Sequence, residues 1–157
     1  MSRMGSSRLW GKITVLVAVC GWALSAQAKY GGGAGTEAEP FRISVVSDWQ
    51  ELMATPADWA SHFVLTDNLD LDGVLLSPVG NDANNFTGVF DGNDCVISNA
   101  DGYVGLFDYL GTAGEIKNLG VEDVSIFGSY PVGGLVGDNH GTLSNCYSSG
   151  SRLGHRR

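Results

Sequence analysis

Basic residues are scarce in this sequence between Lys29 and Gly150. This stretch contains 17 acidic side chains and three basic ones, a net charge of −14. Binding of nucleic acid or of an anionic membrane surface depends on Lys and Arg side chains that neutralise phosphates. The composition therefore excludes nucleic acid as a partner and leaves divalent cations as the charged partners of such a surface.

Long hydrophobic runs are absent as well. The longest, from Ile13 to Ala23, has 11 residues, whereas a membrane-spanning helix needs about 20. Three basic residues precede the run, and Ala26-Gln27-Ala28 follows it as a small-x-small motif. This order is typical of a secretory signal peptide, with cleavage after Ala28. We expect residues 1–28 to be removed and the mature chain to be secreted or held at the cell surface, without membrane insertion.

Cysteine and histidine offer little chemistry. Two cysteines, Cys95 and Cys146, remain after cleavage, and an oxidising compartment permits a disulfide between them. Their positions in the repeat are expected to be non-equivalent and two turns apart, which favours two small buried hydrophobic side chains over a bridge. The three histidines, His62, His140 and His155, lack the spacing of zinc ligands.

The N-terminal part of the mature chain predicts a cap. Residues 29–40 form a glycine-rich leader, and residues 41–80 contain the cap and the first strands. Ser47 and Gln50 have the spacing of a capping box at a helix N-terminus. The apolar face of that helix consists of Trp49, Leu52 and Met53. We interpret it as the cover over the first turn of a β-structure, in preference to a sugar-binding platform.

The rest of the chain is repetitive. Gly88–Asp91 recurs as Gly105–Asp108 and more loosely as Gly134–Gly137, and each copy is followed by a second recurring piece that ends in asparagine. A constant strand with variable turns is typical of a solenoid. We therefore predict an all-β, right-handed parallel β-helix over residues 81–150, with the handedness taken from known folds of this type. The alternative, an antiparallel sandwich, accounts for the short strands but not for the repeat. The three asparagines predicted to stack as a ladder are Asn99, Asn118 and Asn145.

The repeat resembles the GLUG motif of exported bacterial surface proteins. The best copy runs from Val132 to Asn139 and continues from Gly141 to Tyr147. The resemblance extends over roughly residues 30–150, and it implies a scaffold or adhesive region, as in the non-catalytic parts of some bacterial immunoglobulin A peptidases. The sequence departs from the motif at Asp108, where glycine is usual, and at Asp138, where an aromatic residue is common. Residues 151–157 form a basic tail without the repeat pattern, which suggests a truncated gene.

Two acidic motifs are candidates for calcium binding. Asp91 and Asp108 hold the same place in consecutive copies, so we expect them one strand spacing apart, as solvated turn residues, a calcium site or an acid/base pair. Solvated turn residues are the favoured interpretation. Asn68-x-Asp70-x-Asp72-Gly73 resembles the start of an EF-hand loop, but Val79 stands where the bidentate Glu is required, which favours an ordinary strand.

These features predict a non-catalytic scaffold or adhesion module that binds a glycan or a surface protein, with calcium as the cofactor considered. One alternative is a carbohydrate-active β-helix enzyme, a polysaccharide lyase or a glycoside hydrolase. Arg42 and Lys117 are the basic residues available to it inside the fold, and they are expected in different regions. The other alternative is a calcium-stabilised structural repeat without a ligand of its own.

Overall fold

The computed structural model describes residues 28–128 and 131–152. The predicted signal peptide lies outside this range except for Ala28. The described chain is mostly strand, with one α-helix, α1 (Val46–Ala54), and one 3-10 turn (Pro56–Asp58). Neither is long and apolar enough to cross a membrane. The strands are β1 (Phe41–Ile43), β2 (His62–Leu65), β3 (Leu69–Asp70), β4 (Val89–Asp91), β5 (Val96–Ser98), β6 (Asp101–Gly102), β7 (Phe107–Leu110), β8 (Glu115–Lys117), β9 (Gly120–Ile126), β10 (Val136–Asn139), β11 (Thr142–Ser144) and β12 (Tyr147–Arg152).

All strand pairs among the described residues are parallel, and they form three sheets. Sheet 1 has the order β1-β2-β4-β8-β11, and sheet 2 has the order β3-β5-β9-β12, with β6 also paired to β9. Sheet 3 consists of β7 and β10 and is extended by single bridges from Val79 to Phe107 and from Phe86 to Leu110. The chain visits the three sheets in turn. This confirms the predicted parallel β-helix and excludes the antiparallel sandwich.

The solenoid has about three turns, and from β4 onward in sheet 1 the turn length is nearly constant. In sheet 1, Val89 lies beside Glu115 and Glu115 lies beside Thr142, so the chain advances by 26 positions in one turn and by 27 in the next. Parallel strands in register place each residue beside its counterpart one turn later, about 4.8 Å away. Every position in a turn therefore generates a column of side chains along the solenoid axis.

The core consists of the inward columns. In sheet 1 the inward column is Phe41, Phe63, Phe90, Ile116 and Leu143. Its first four members are buried, whereas Leu143 in the last turn is 39% exposed. Sheet 3 contributes Phe107, whose ring centroid is 5.6 Å from that of Phe90. Each turn alone has too few apolar side chains for a core, so the turns are stable only as a stack.

Helix α1 covers the N-terminal end of this core. Trp49 is fully buried and contacts the rings of Phe90 and Phe107 edge-on, at centroid distances of 5.8 and 5.9 Å. Trp59 is also buried, and its indole N–H donates to the carbonyl of Leu52 at 2.9 Å. Neither tryptophan is therefore available as a sugar platform.

The predicted capping box is wrong in its residues. The helix begins one residue before Ser47, and Asp48 is the capping side chain. Its carboxylate accepts hydrogen bonds from the backbone N–H groups of Ser44 and Val45, at 2.9 and 3.2 Å, and from the Ser44 hydroxyl at 3.0 Å. An acidic side chain in the first turn is also favoured by the helix dipole. The sequence does contain the S-x-x-Q pattern of a capping box. In the structure, however, the Asp48 carboxylate caps the helix, because it lies within reach of three hydrogen-bond donors.

Replacement of Asp48 by Ala should lower the free energy of unfolding by about 1–3 kcal/mol, because three donors lose their acceptor at the entry to α1. The matched control is Ser47→Ala, which should change stability by less than about 0.5 kcal/mol. Urea denaturation followed by tryptophan fluorescence measures both. Equal effects of the two substitutions would show that the cap depends on Ser47 after all.

Candidate functional site

The two aspartates of the candidate calcium pair, Asp91 and Asp108, lie in different sheets. Asp91 lies on β4 in sheet 1 and Asp108 lies on β7 in sheet 3, so the expectation of one strand spacing between them is wrong. The similarity between Gly88–Asp91 and Gly105–Asp108 was misleading, because the two segments are closer in sequence than the length of one turn. Within residues 28–128 and 131–152, no three His, Cys, Asp or Glu side chains are grouped so as to hold a metal ion.

Asp91 instead belongs to a hydrogen-bonded column at a corner of the solenoid. Its Oδ1 accepts from the side-chain amide of Asn118 at 3.0 Å, and the Asn118 Oδ1 accepts from the amide of Asn145 at 3.1 Å. The two asparagines have φ angles of +52° and +49°. Asparagine tolerates this left-handed conformation better than most residues. The residue type therefore both turns the backbone and links three successive turns, and we name this set the Asp91 column.

Asn99 was predicted to belong to the same ladder as Asn118 and Asn145, and this part of the prediction is wrong. It follows β5 in sheet 2, and its side-chain amide donates to Asp70 Oδ1 at 2.9 Å. The same carboxylate oxygen accepts from the backbone N–H of Asp72 at 3.1 Å. These bonds, that to Asn99 foremost, lower the pKa of Asp70. The motif that resembles an EF-hand thus bonds to the next turn.

The two cysteines occupy equivalent positions, contrary to prediction. Val96 and Tyr147 both lie beside Gly120, so Cys95, Leu119 and Cys146 form one column just before sheet 2. Two strand spacings separate the cysteines, about 9.6 Å, which is too far for a disulfide. Both are free thiols. Burial, followed by the nearby carboxylates of Asp67 and Asp94, raises the pKa of the Cys95 thiol.

The outer face of sheet 1 places in one column the two basic residues that were expected in different regions. Its outward column is Arg42, Val64, Asp91, Lys117 and Ser144. Arg42 and Lys117 are therefore three strand spacings apart, about 14 Å. Lys117 also approaches Glu115 on its own strand, with 3.8 Å between Nζ and Oε1. We name the five residues from Arg42 to Ser144 in this outward column the charged column.

A groove beside the charged column is lined by Glu37, Pro40, His62, Phe63, Val64, Val89, Asp91 and Lys117.

Sheet 3 carries an acidic patch around Asp108. Partial burial and then the charges of Asp82 and Asp138 raise the pKa of the Asp108 carboxyl. His140 Nε2 is 3.1 Å from Asp138 Oδ1, and its ring stacks on Tyr109 at a centroid distance of 4.9 Å. The patch combines like charges with a flat aromatic surface.

The sequence contained a signal for the true columns. Asp91, Asn118 and Asn145 are evenly spaced, with 27 positions between each and the next, which is the length of one turn. An alignment by this period, rather than by similar tetrapeptides, would have placed Asp91 within one residue of its register partner Lys117 and Asn118 beside Asn145. The stack of Tyr109 and His140 had no such signal, because neither residue belongs to a repeated motif.

Comparison with known proteins finds relatives that are much longer than this chain. The chain is 30% identical over 141 residues to Halomucin from Haloquadratum walsbyi, a match that covers 80% of this chain and 2% of that protein. It is 30% identical over 131 residues to the "Putative Gly-rich membrane protein" of Evansella cellulosilytica, covering 74% of this chain and 15% of the relative. No protein-family model matches the chain.

A solved structure shares the fold. The crystal structure of a protein named "putative immunoglobulin A1 protease" from Bacteroides ovatus superposes with a TM-score of 0.65 at 19% identity. The superposition covers 78% of this chain and 41% of that one. At this identity the likeness establishes the β-solenoid architecture alone.

Substitutions in the Asp91 column should cost stability according to the number of bonds removed. Asn118→Gly loses two side-chain hydrogen bonds and should cost about 1–2 kcal/mol, while glycine still adopts the positive φ. Asn118→Ala should cost about 1 kcal/mol more because of the left-handed backbone. Asn145→Gly loses one bond and serves as the control in urea denaturation. An equal cost for both glycine variants would contradict a continuous column.

Replacement of Asp108 by Asn should stabilise the protein at pH 7. The raised pKa means that the folded state disfavours the charged carboxylate, and this penalty is present above the folded pKa and vanishes below the unfolded value of about 3.9. We expect a gain below about 1 kcal/mol after solvent screening, and no gain near pH 3. Thermal melts across this pH range measure it, with Asp101→Asn, an exposed aspartate elsewhere, as control for net charge.

Proposed function

We propose that this chain is a non-catalytic module of an exported surface protein, which serves as a scaffold or in adhesion to a glycan or a protein. The observation that carries the proposal is the stack itself, three turns in register and covered by α1 at its N-terminal end. Such a stack presents rows of outward side chains on three sheets while its core stays constant. Scaffold and adhesive surfaces require this combination of a rigid axis and a variable exterior.

Membership of the GLUG-motif family is part of the proposal. The two motif pieces, Gly134–Gly137 and Gly141–Tyr147, contribute the start of β10, all of β11 and the start of β12. The motif therefore spans the corner between sheet 3 and sheet 1 and the passage into sheet 2. A repeat unit of this kind supplies both corner residues and strands, which supports its use as a stacking element.

The last turn supports a stacking role as well. Among the described residues, β10, β11 and β12 each pair with a strand on one side only. Leu143 is 39% exposed there, whereas Ile116, its counterpart one turn earlier, is fully buried. An unpaired strand edge with an apolar side chain is suited to pair with a further strand.

Surface placement rests on the N-terminal sequence and on the relatives. Residues 1–28 have the order of a signal peptide, and one relative is named a membrane protein. The test is to express the full chain with its own leader, fractionate the cells and treat intact cells with protease. We expect the mature chain in the medium or digested at the surface. Retention of an undigested full-length chain inside the cells would overturn the placement.

For adhesion, the charged column is the proposed contact surface. It combines both signs of charge beside a groove, whereas the acidic patch repels the acidic glycans and proteins common on cell surfaces. The secreted product is applied to glycan and matrix-protein arrays, together with Lys117→Ser on the charged column. Thr142→Ala, on the same sheet but outside that column, is the matched control. Binding that Lys117→Ser weakens and Thr142→Ala retains supports adhesion, and an absence of binding leaves the scaffold role alone.

The enzyme alternative also has its observation in the charged column, because a basic side chain lies one strand spacing from Asp91. A polysaccharide lyase uses a basic residue near an acidic sugar. Incubation of the secreted product with acidic polysaccharides, with and without calcium, and detection of unsaturated products by absorbance decide between the two. Turnover that Lys117→Ser abolishes would replace the non-catalytic proposal.

A further inference from the structure

The first residues after the predicted cleavage site are fixed on the cap. Ala28 is exposed, but Tyr30 is only 7% exposed and packs on Phe41 and Phe63 at centroid distances of 4.8 and 5.6 Å. Tyr30 has a φ of +54°, which is uncommon for a residue with a large side chain. Such a conformation persists only where surrounding contacts enforce it. The change from exposed chain to anchored chain thus falls within two residues.

Carboxylates hold both residues. The Tyr30 hydroxyl donates to Asp58 Oδ2 at 2.7 Å, and Lys29 Nζ forms an ion pair with the same oxygen. The backbone N–H of Tyr30 donates to Glu51 Oε2 at 3.2 Å. The carbonyl of Lys29 accepts from Gly32 N at 3.1 Å and closes a tight turn. Side chain, backbone and turn together fix the position of Lys29.

These contacts set the position of the nitrogen that cleavage would free. Consecutive backbone nitrogens are at most about 3.7 Å apart, so the Lys29 nitrogen lies within about 7 Å of Glu51 Oε2. This is less than the screening length of about 8 Å at physiological ionic strength. Hydrolysis of the Ala28–Lys29 bond consumes one water and leaves a carboxylate on Ala28 and an ammonium group on Lys29 at neutral pH. A charge that the uncleaved amide lacks then appears beside Glu51.

We propose that removal of the leader completes the cap, because the new ammonium group of Lys29 pairs with Glu51 and clamps the N-terminal turn onto α1. Cleavage and folding stability are then coupled. The uncleaved chain has a weaker cap, and the processed chain acquires its last ion pair only after export. The inference rests on the predicted cleavage after Ala28 and is independent of the proposed adhesive or scaffold role.

The charges around this position favour the pairing. Glu51 on α1 and Asp58 on the 3-10 turn bond to Tyr30, and Asp48 Oδ2 on α1 lies 3.4 Å from the point where a side chain on Gly31 would begin. The cations in the same region are the Lys29 side chain and Arg42 on β1, whose guanidinium lies 3.5 Å from the point where a side chain on Gly32 would begin. Three carboxylates against two cations leave a net negative charge that an ammonium group neutralises.

The test compares two chains that differ by one residue. One begins at Lys29 and the other at Ala28, both released from a removable fusion partner, and every described strand and helix lies after these residues. The chain that begins at Lys29 should have a folding equilibrium constant about two- to fivefold larger at pH 6.5. The difference should disappear above about pH 9, where an α-amino group loses its proton. In a Glu51→Gln background the two chains should be equally stable at either pH.

N-terminal sequencing of the product secreted by cells that express the full chain completes the experiment. We expect Lys29 as the first residue. Another first residue, equal stability of the two chains, or a difference that persists in Glu51→Gln would each overturn the proposal. Acetylation of the terminal amine of the Lys29 chain should reproduce the stability of the longer chain, since it removes the charge without adding a residue's backbone.

Discussion

Parallel pairing in register between successive turns is the constraint on which the whole structure depends. Among β2, β4, β8 and β11 it places each residue beside its counterpart 26 or 27 positions away, and in the other two sheets 24 to 29 positions away. It makes every inward position a column of apolar side chains. A single turn has neither paired edges nor a core, so neither exists before the stack does. The end strands of each sheet have unpaired backbone groups on one side, and the two ends of the solenoid differ in what lies beside them. Among the described residues, β1 and β3 at one end and β10, β11 and β12 at the other pair on one side only, and the helix α1 with Trp49 lies at the first of these ends.

The corners explain why polar residues are integral to such a core. Asn118 and Asn145 have positive φ angles, a conformation that most side chains resist. A stack repeats this cost at every turn, and the bonds from one amide to the next offset part of it. Asp91 begins the column because a carboxylate accepts the first amide without donating to the turn before. The acids of this chain therefore differ in role. Asp91 and Asp70 bond to the next turn, whereas Asp108 experiences the repulsion of its neighbours.

The sequence predicted the architecture better than the sites. Glycine, short strands and a repeated pattern sufficed for a parallel β-helix, and Trp49, Leu52 and Met53 sufficed for a capping helix. The register of Gly88–Asp91 was missed, because similarity between two tetrapeptides less than one turn apart outweighed the true period of the solenoid. The pairings of Asp91 with Asp108 and of Asn99 with Asn118 were wrong, whereas those of Asn118 with Asn145 and of the strand at Phe107 with the strand at Val136 were right. The prediction of the helix N-cap was wrong for another reason. Asp48 reaches backward to Ser44 and Val45, a contact that the spacing of Ser47 and Gln50 does not indicate.

The length of one turn has a consequence for how far a protein of this build can extend. One turn of about 27 residues advances the axis by about 4.8 Å, or about 0.18 Å per residue, against about 1.5 Å for an α-helix. A rod of about 100 Å would then need about 21 turns and about 560 residues, where a helix needs about 67. In this architecture most residues of a turn add to the width of the rod and little to its length. Three sheets surround every cross-section, and this makes the rod resist bending. A long sequence built from such turns is therefore a thick, stiff and comparatively short rod, in which each added turn contributes a broad strip of outer surface for little added length.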